Sequence, residues 1–233
     1  MEFEFVGEHC WYAVSSCIGM IRSIIKLAGG LVGASLLGAI SLYATPVTVK
    51  EVGVGANKVV NISSSSLGTV NAYAGVIKLM VDGVPTDGFC IDPWHFSTSG
   101  VNMSYQTRAL EAAPKPPGPM GTATALKIEQ LWEKYYTPSI TNSTAAALQI
   151  AIWKLVDTAI ANAFFSINGQ DYGASTMVSW VNSNPNAPAA DLIGLSGPGQ
   201  DYVVKRVPDS GTSVALLGLS FLGLVALRKR FRR

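Results

Sequence analysis

The sequence predicts an α+β protein whose central domain is β-rich and sandwich-like, with a helical section in its second half. Three observations lead to this class: short β-favouring runs within 48–92, three helical hydrophobic patterns between 122 and 183, and a last β-favouring segment at 201–206. An N-terminal signal peptide and a C-terminal membrane helix are predicted on either side of this domain.

Composition limits the classes of protein that this chain can represent. It has 233 residues, of which 48% are hydrophobic and 14% charged, enough apolar character for one core and too much for general disorder. Residues 46–206 hold ten Lys or Arg and eleven Asp or Glu. A nearly neutral domain lacks the basic surface that nucleic-acid binding needs, so we expect no nucleic-acid partner.

The segment 20–44 has the layout of a secretory signal peptide. Arg22 and Lys26 form a basic start, an apolar run follows, and small residues come at the end. Since signal peptides usually start at their basic region, we expect translation to begin at Met20. Residues 1–19 would then be a mis-called upstream extension. The alternative is a retained transmembrane helix.

The first half of the domain, which we take to span 46–206, is predicted to consist of strands. The stretch 48–63 contains short β-favouring runs, and two strands are expected near 73–81 and 85–92. Between the last two stands Asp82-Gly83, a dipeptide typical of two-residue hairpin turns.

The second half is predicted to be mainly helical. Proline and glycine at 113–121 and at 184–200 indicate loops. Helices are expected at about 122–136, 143–165 and 174–183, the second of them capped by Asn142 or Ser143.

The C-terminal segment 207–233 has the properties of a short membrane helix. Its residues Thr212–Leu227 include no charge. At about 1.5 Å per residue they would span roughly 24 Å, somewhat less than a hydrocarbon core of about 30 Å. The basic residues after them should remain cytoplasmic and leave the domain outside. These residues are Arg228, Lys229, Arg230, Arg232 and Arg233.

The same segment resembles a known class of sorting signal. A VPDSG pentapeptide, an apolar helix and an Arg-rich end, in that order, are similar to the VPDSG variant of the PEP-CTERM signals. The resemblance implies processing by a membrane-embedded exosortase, initial anchoring in the inner membrane, and a final place in a Gram-negative-type envelope or extracellular matrix linked to exopolysaccharide and biofilm. The residues that carry the pentapeptide are Val207, Pro208, Asp209, Ser210 and Gly211.

Two residues of the central domain are unusual for their predicted environment. If the chain starts at Met20, Cys90 is the only cysteine, whereas exported cysteines usually pair. On a helical wheel Gln149 falls on an apolar face with Ile152 and Trp153, where an unpaired amide would cost roughly 1–3 kcal/mol. Attack of the Cys90 sulfur on the Gln149 amide would expel ammonia and form an internal thioester, which would solve both problems.

The residues around this pair resemble bacterial thioester domains of surface adhesins. Gly88-Phe89-Cys90-Ile91-Asp92 is similar to their aromatic-Cys-apolar motif, and Gln149-Ile150-Ala151-Ile152-Trp153 to their Gln-x-Ala-Ile-Trp helix. The resemblance implies that Cys90 is the thioester sulfur and Gln149 the acyl donor, surrounded by Phe89, Asp92, Ile152 and Trp153. An amine- or hydroxyl-bearing surface ligand would then become covalently attached.

Three other interpretations remain open. Cys90 and Gln149 could be a buried thiol and a buried amide bonded to backbone. Cys90 and His95 could form the nucleophile and base of an enzyme, although we expect a non-enzymatic protein. Aromatic side chains could stack on exopolysaccharide. The aromatic residues concerned are Trp94, Trp132, Tyr135, Tyr136, Trp153 and Trp180. No cofactor or metal motif is recognisable, so none is expected.

Overall fold

A computed structural model describes residues 45–114, 118–160 and 165–206 of the chain. The predicted upstream extension 1–19, the signal peptide 20–44 and the sorting tail 207–233 lie outside the described residues. Among the residues that are described, no helix has the length and apolar character needed to cross a membrane.

The described residues form seven strands, three α-helices and one short 3-10 helix, which confirms a β-rich α+β fold. The strands are β1 (Pro46–Ser64), β2 (Gly68–Val81), β3 (Val84–Cys90), β4 (Asn102–Ala109), β5 (Phe165–Asn168), β6 (Leu192–Ser196) and β7 (Tyr202–Lys205). The helices are α1 (Thr122–Tyr135), α2 (Asn142–Ala159) and α3 (Ala174–Ser183), and the 3-10 helix is Leu110–Ala112.

All seven strands belong to one antiparallel sheet in the order β2-β3-β7-β6-β4-β1-β5. Because β1 also pairs with β2, six of the strands form a closed circuit of hydrogen bonds. The prediction that the domain is sandwich-like is therefore wrong, because the strands form one sheet instead of two stacked sheets. The long β1 strand closes the circuit because residues 46–50 pair with β4 and residues from 49 to 64 pair with β2.

The pairing of β1 with β2 is irregular in two places. The register with β2 shifts between Glu51 and Gly53 and again between Val54 and Asn57. Opposite the second shift lies Gly75, with φ +150°, where a Cβ atom would stand 2.2 Å from the backbone oxygen of Ala56. Only glycine permits so close an approach of the two backbones.

The hairpin between β2 and β3 was predicted correctly. Val81 pairs with Val84, and the two-residue turn consists of Asp82 at φ 49° and Gly83 at φ 82°. Both values lie in the left-handed region that Asp-Gly turns use. The carboxylate of Asp82 also accepts a hydrogen bond from the backbone N–H of Thr48 at 2.7 Å, which joins the turn to β1.

The helices agree with the prediction except at the end of α2 and at its cap. The predicted helix 143–165 ends at Ala159, and Phe165 already belongs to β5. The cap is Thr141, whose hydroxyl accepts from the N–H of Thr144 at 3.2 Å, rather than Asn142 or Ser143.

Three strands were missed: β5, which follows the overlong predicted helix, and two strands whose sequence environment hid them. The predicted loop 184–200 contains β6, and no strand was predicted over Asn102–Ala109, which forms β4. Both strands are short and polar or glycine-bearing, so their pairing with each other decides their conformation more than their own propensity does.

The hydrophobic core lies between the sheet and α2, which packs on β1, β2, α1 and α3. Eleven of the eighteen residues of α2 are buried, so this helix is apolar on nearly every side. A buried helix places its few polar side chains inside the core, where each needs a partner.

Candidate functional site

Cys90 is the last residue of β3, where its backbone pairs with Tyr202 of β7. It is only 2% exposed, and it is the free cysteine within the described ranges. The predicted placement of Cys90 on a strand is therefore confirmed. Its neighbour Ile91 continues the pairing by donating its N–H to the Asp201 carbonyl at 3.1 Å.

Gln149 lies in the middle of α2, is fully buried, and is bound to Cys90 through both ends of its amide. The backbone N–H of Cys90 donates to Gln149 Oε1 at 2.9 Å. Gln149 Nε2 donates to the Cys90 carbonyl at 2.7 Å. The partner that the sequence required for a glutamine on an apolar face is thus the backbone of the predicted cysteine, 59 positions away.

The thiol of Cys90 lies in an environment that keeps it protonated. Burial is the main cause that raises its pKa well above the usual value, and the charge of Asp92 raises the pKa further. Two contacts lower the pKa of Cys90 in part. The N–H of Asp92 donates to Sγ at 3.3 Å, and the Trp153 side chain favours the thiolate. The indole Nε1 of Trp153 nevertheless makes no hydrogen bond of regular geometry.

Two other predicted neighbours of the pair are buried. Ile152 is fully buried on α2. Phe89 is also buried, and its ring meets those of Trp132 and Tyr136 edge-on at 5.2 and 5.9 Å. Because successive side chains of a strand point to opposite faces, Phe89 packs away from the Cys90 side chain and supports the strand rather than the thiol.

Asp92 connects the cysteine to His95. Its carboxylate lies 2.7 and 2.9 Å from His95 Nδ1 and also accepts from the Trp94 N–H at 3.2 Å. Burial raises the pKa of Asp92 from 3.8 to about 6, although the nearby His95 lowers it in part. His95 therefore contacts Asp92 instead of Cys90. Throughout the described residues the Cys90 thiol makes no hydrogen bond to His95.

Sequence reasoning missed three residues that hold this region together. Gln200 Nε2 donates to the carbonyls of Asp92 and His95 at 3.3 and 3.2 Å, which fixes the loop between them. The hydroxyl of Tyr202 donates to Glu51 Oε2 at 3.1 Å beside the same strand end. No local pattern identifies these residues, because the pairing of β3 with β7 brings Gln200 and Tyr202 to the site and Glu51 of β1 reaches it through Tyr202.

The tryptophans proposed as a sugar platform belong mainly to the core. Trp94, Trp132 and Trp153 are at most 3% exposed. Trp180 is half-buried, with its ring against Tyr135 and under the ammonium group of Lys134 at 4.4 Å. Among the residues that the structure describes, the exposed aromatic side chains are Tyr73 and Phe96 instead.

In the part of the chain that the structure describes, no acidic, His and Cys side chains are grouped closely enough to bind a metal ion. The polar groups near Cys90 are occupied by one another or by backbone, as the pairing of Asp92 with His95 illustrates.

Comparison with known protein families identifies a VPDSG-CTERM motif at residues 206–231. No curated protein and no solved structure matches the chain. The motif includes the predicted Val207–Gly211 pentapeptide and most of the basic end.

The chain therefore carries a PEP-CTERM-like sorting tail. Such a tail indicates an exported protein that is first anchored in a membrane and then processed by an exosortase. The domain between the two ends is joined to that tail by β7, which ends at Lys205.

Proposed function

We propose that this exported protein is a covalent binding module of the cell envelope or extracellular matrix, and that Cys90 and Gln149 form its internal thioester. The observation that carries the proposal is the pair of hydrogen bonds between the Gln149 amide and the Cys90 backbone. They hold the Gln149 acyl group against the backbone of a residue whose side chain is a nucleophile.

The hydrogen bonds also favour the chemistry of ring closure. The Cys90 sulfur adds to the Gln149 amide carbon, and the carbonyl oxygen gains negative charge. The Cys90 N–H already donates to that oxygen and would stabilise the charge, as donors of an oxyanion hole do. The C–N bond then breaks, and the nitrogen leaves as ammonia with the proton of the thiol.

Burial supports both the formation and the survival of such a bond. Cys90 and Gln149 are 2% and 0% exposed, so bulk water has little access to the acyl carbon. Joining them replaces a buried thiol and a buried primary amide with a less polar link. A ligand amine or hydroxyl that displaced the sulfur would become covalently attached to Gln149.

The competing interpretation, in which Gln149 only supports the fold, predicts a different mass. We expect the exported protein, freshly purified from its host and measured intact, to be lighter than its sequence by one ammonia. Methylamine should form an N-methyl amide at residue 149, which leaves the protein one CH2 group heavier than its sequence, and should release the Cys90 thiol. Cys90→Ala and Gln149→Ala should each abolish the deficit.

Because Cys90 is buried, the thiol-labelling control must be carried out on unfolded protein. Failure to label a thiol in folded protein is uninformative at 2% exposure, so labelling follows rapid unfolding in acid. Full mass together with one labelled Cys90 in native protein never exposed to amines would rule out the thioester. The exported and sorted character of the protein would be unaffected by that result.

A further inference from the structure

A cavity of about 220 Å³ lies directly beside Cys90. Cys90 and Trp153 line it, and so do residues of β1 and β2 and of the loop after β3. Since one water occupies roughly 30 Å³ in the liquid, the cavity has room for a group of about one sugar ring. Its contact with Cys90 makes it the route by which a ligand would reach a bond at that sulfur.

His95 also lines this cavity, and its orientation is set by Asp92. The Asp92 carboxylate is 1% exposed and engages His95 Nδ1, whereas the His95 side chain is 43% exposed. Such a contact leaves Nε2 as the ring nitrogen that can exchange a proton with a ligand. A carboxylate that orients an imidazole is the arrangement of a general base.

A general base matters most for a hydroxyl ligand. A neutral amine carries a lone pair and attacks an acyl group unaided, whereas a hydroxyl must lose its proton as it attacks. The sulfur that leaves also requires a proton, because burial raises the pKa of the Cys90 thiol and disfavours a free thiolate. The His95 imidazole lines the same cavity as Cys90, so it is the group available to take the first proton and deliver it to the sulfur.

The rim of the cavity carries two exposed aromatic side chains. Tyr73 is 59% and Phe96 64% exposed, and both line the cavity. Aromatic faces of this kind stack on the apolar faces of sugar rings. Among the described residues that line the cavity there is no Lys or Arg, and Glu51 contributes a carboxylate. A neutral sugar fits this lining better than an anionic one.

We infer that the cavity binds a neutral carbohydrate and that His95 is the general base when a carbohydrate hydroxyl attacks the Gln149 acyl carbon. The inference rests on the proposed thioester. The sugar oxygen attacks the Gln149 acyl carbon while its proton passes to His95 Nε2. The C–S bond breaks, the proton passes from His95 to the Cys90 sulfur, and the products are a sugar ester of Gln149 and a free thiol.

The test uses the exported protein whose ammonia deficit has been measured. Methylamine, glycerol and maltotriose are added separately at one pH, and the covalent products are followed by intact mass. We expect wild-type protein to gain the whole mass of maltotriose. His95→Gln should lower the rate of ester formation by about 10²-fold or more, the usual contribution of a general base, and should lower the methylamine rate far less.

Rim variants test the carbohydrate class separately from the base. Tyr73→Ala and Phe96→Ala should raise the maltotriose concentration needed for half-maximal labelling by about three- to tenfold, as expected for the loss of one aromatic contact. Glycerol, which has no ring to stack, should be unaffected by them. Val101→Ala is the matched control, because Val101 is 52% exposed but does not line the cavity.

The outcomes separate this inference from the proposed function. Absence of the ammonia deficit in wild-type protein overturns both. A deficit with methylamine labelling but no ester from maltotriose or glycerol overturns the inference alone. So does a His95→Gln protein that retains the deficit and forms both products at wild-type rates, because His95 would then have no part in proton transfer.

Discussion

Gln149 makes two hydrogen bonds to a single residue, and both lie in the core. Its Oε1 accepts from the Cys90 N–H, and its Nε2 donates to the Cys90 carbonyl. Without Gln149, the N–H and the carbonyl of Cys90 at the end of β3 would be buried without these hydrogen bonds. The same contacts that support the thioester proposal therefore have a measurable structural value of their own.

Substitution of Gln149 should destabilise the domain even where no thioester can form. In a Cys90→Ala background, Gln149→Ala leaves the N–H and the carbonyl of residue 90 unsatisfied and opens a cavity. We expect the free energy of unfolding to fall by about 3–5 kcal/mol. Denaturant titration of the two proteins measures the difference.

Gln130 offers a matched control for that measurement. It is 1% exposed, and its Nε2 donates to the carbonyls of Pro185 and Ala187 in a loop. Because water can reach loop carbonyls after truncation, Gln130→Ala should cost less than Gln149→Ala. Equal losses of unfolding free energy would show that the hydrogen bonds to Cys90 contribute no more to stability than those of Gln130 to its loop.

At the scale of elements, α2 is the helix on which the domain depends. It packs against two strands and both other helices, and its buried Gln149 contacts the end of β3. Lys154, in the C-terminal half of α2, donates to Asp171 at 3.2 Å and to Ser175 at 2.8 Å. These bonds connect α2 with the start of α3.

Asp171 stabilises the N-terminus of α3 and should do so in a pH-dependent way. Its carboxylate accepts from the backbone N–H groups of Gly173 and Ser175 and from the Ser175 hydroxyl. These bonds hold its pKa well below the usual 3.8, so the stabilisation is present above that pH and fades as acid protonates the carboxylate. We expect Asp171→Ala to cost about 1 kcal/mol at neutral pH.

Measurement of unfolding free energies at several pH values checks this expectation. The difference between wild type and Asp171→Ala should shrink below about pH 4 as the wild-type carboxylate loses its advantage. Asp191→Ala is the control, since Asp191 forms an exposed pair with Arg206 that is worth little. A difference that stayed constant into acid would contradict the role of the ionised carboxylate.

At the scale of the whole molecule, the chain consists of a folded domain followed by a sorting tail. The VPDSG-CTERM motif begins at Arg206, directly after β7. Removal of the tail at this position would leave every described strand and helix intact. The folded domain and its sorting signal are therefore separable along the chain.

Loss of the host exosortase should leave the tail uncut. In such a strain we expect the protein to keep its C-terminal peptide and remain with the membrane fraction, whereas in the parent strain the peptide is missing from the mature protein. Mass spectrometry of C-terminal peptides in each fraction measures this. An exported protein without such a tail serves as the control, and identical processing in both strains would contradict sorting by an exosortase.

Some features of this protein could be predicted from its sequence because they depend on local chemistry. The Asp82-Gly83 turn, the three helices and the VPDSG pentapeptide depend on residues adjacent in the chain, and each was predicted from them. Gln149 was recognised because a polar residue on an apolar helix face requires a partner. An amide bonded to backbone was one of the two interpretations that the sequence left open, and the structure shows that the backbone concerned is that of Cys90 itself.

Only the tertiary structure decided the rest. Strands β4 and β6 are formed by pairing across the sheet, and the closed circuit depends on β1 serving two neighbours at once. His95 contacts Asp92, and the cavity beside Cys90 arises where β1, β2 and the loop after β3 meet. These features depend on groups far apart in sequence whose hydrogen bonds and burial exist only after folding, so no local pattern encodes them.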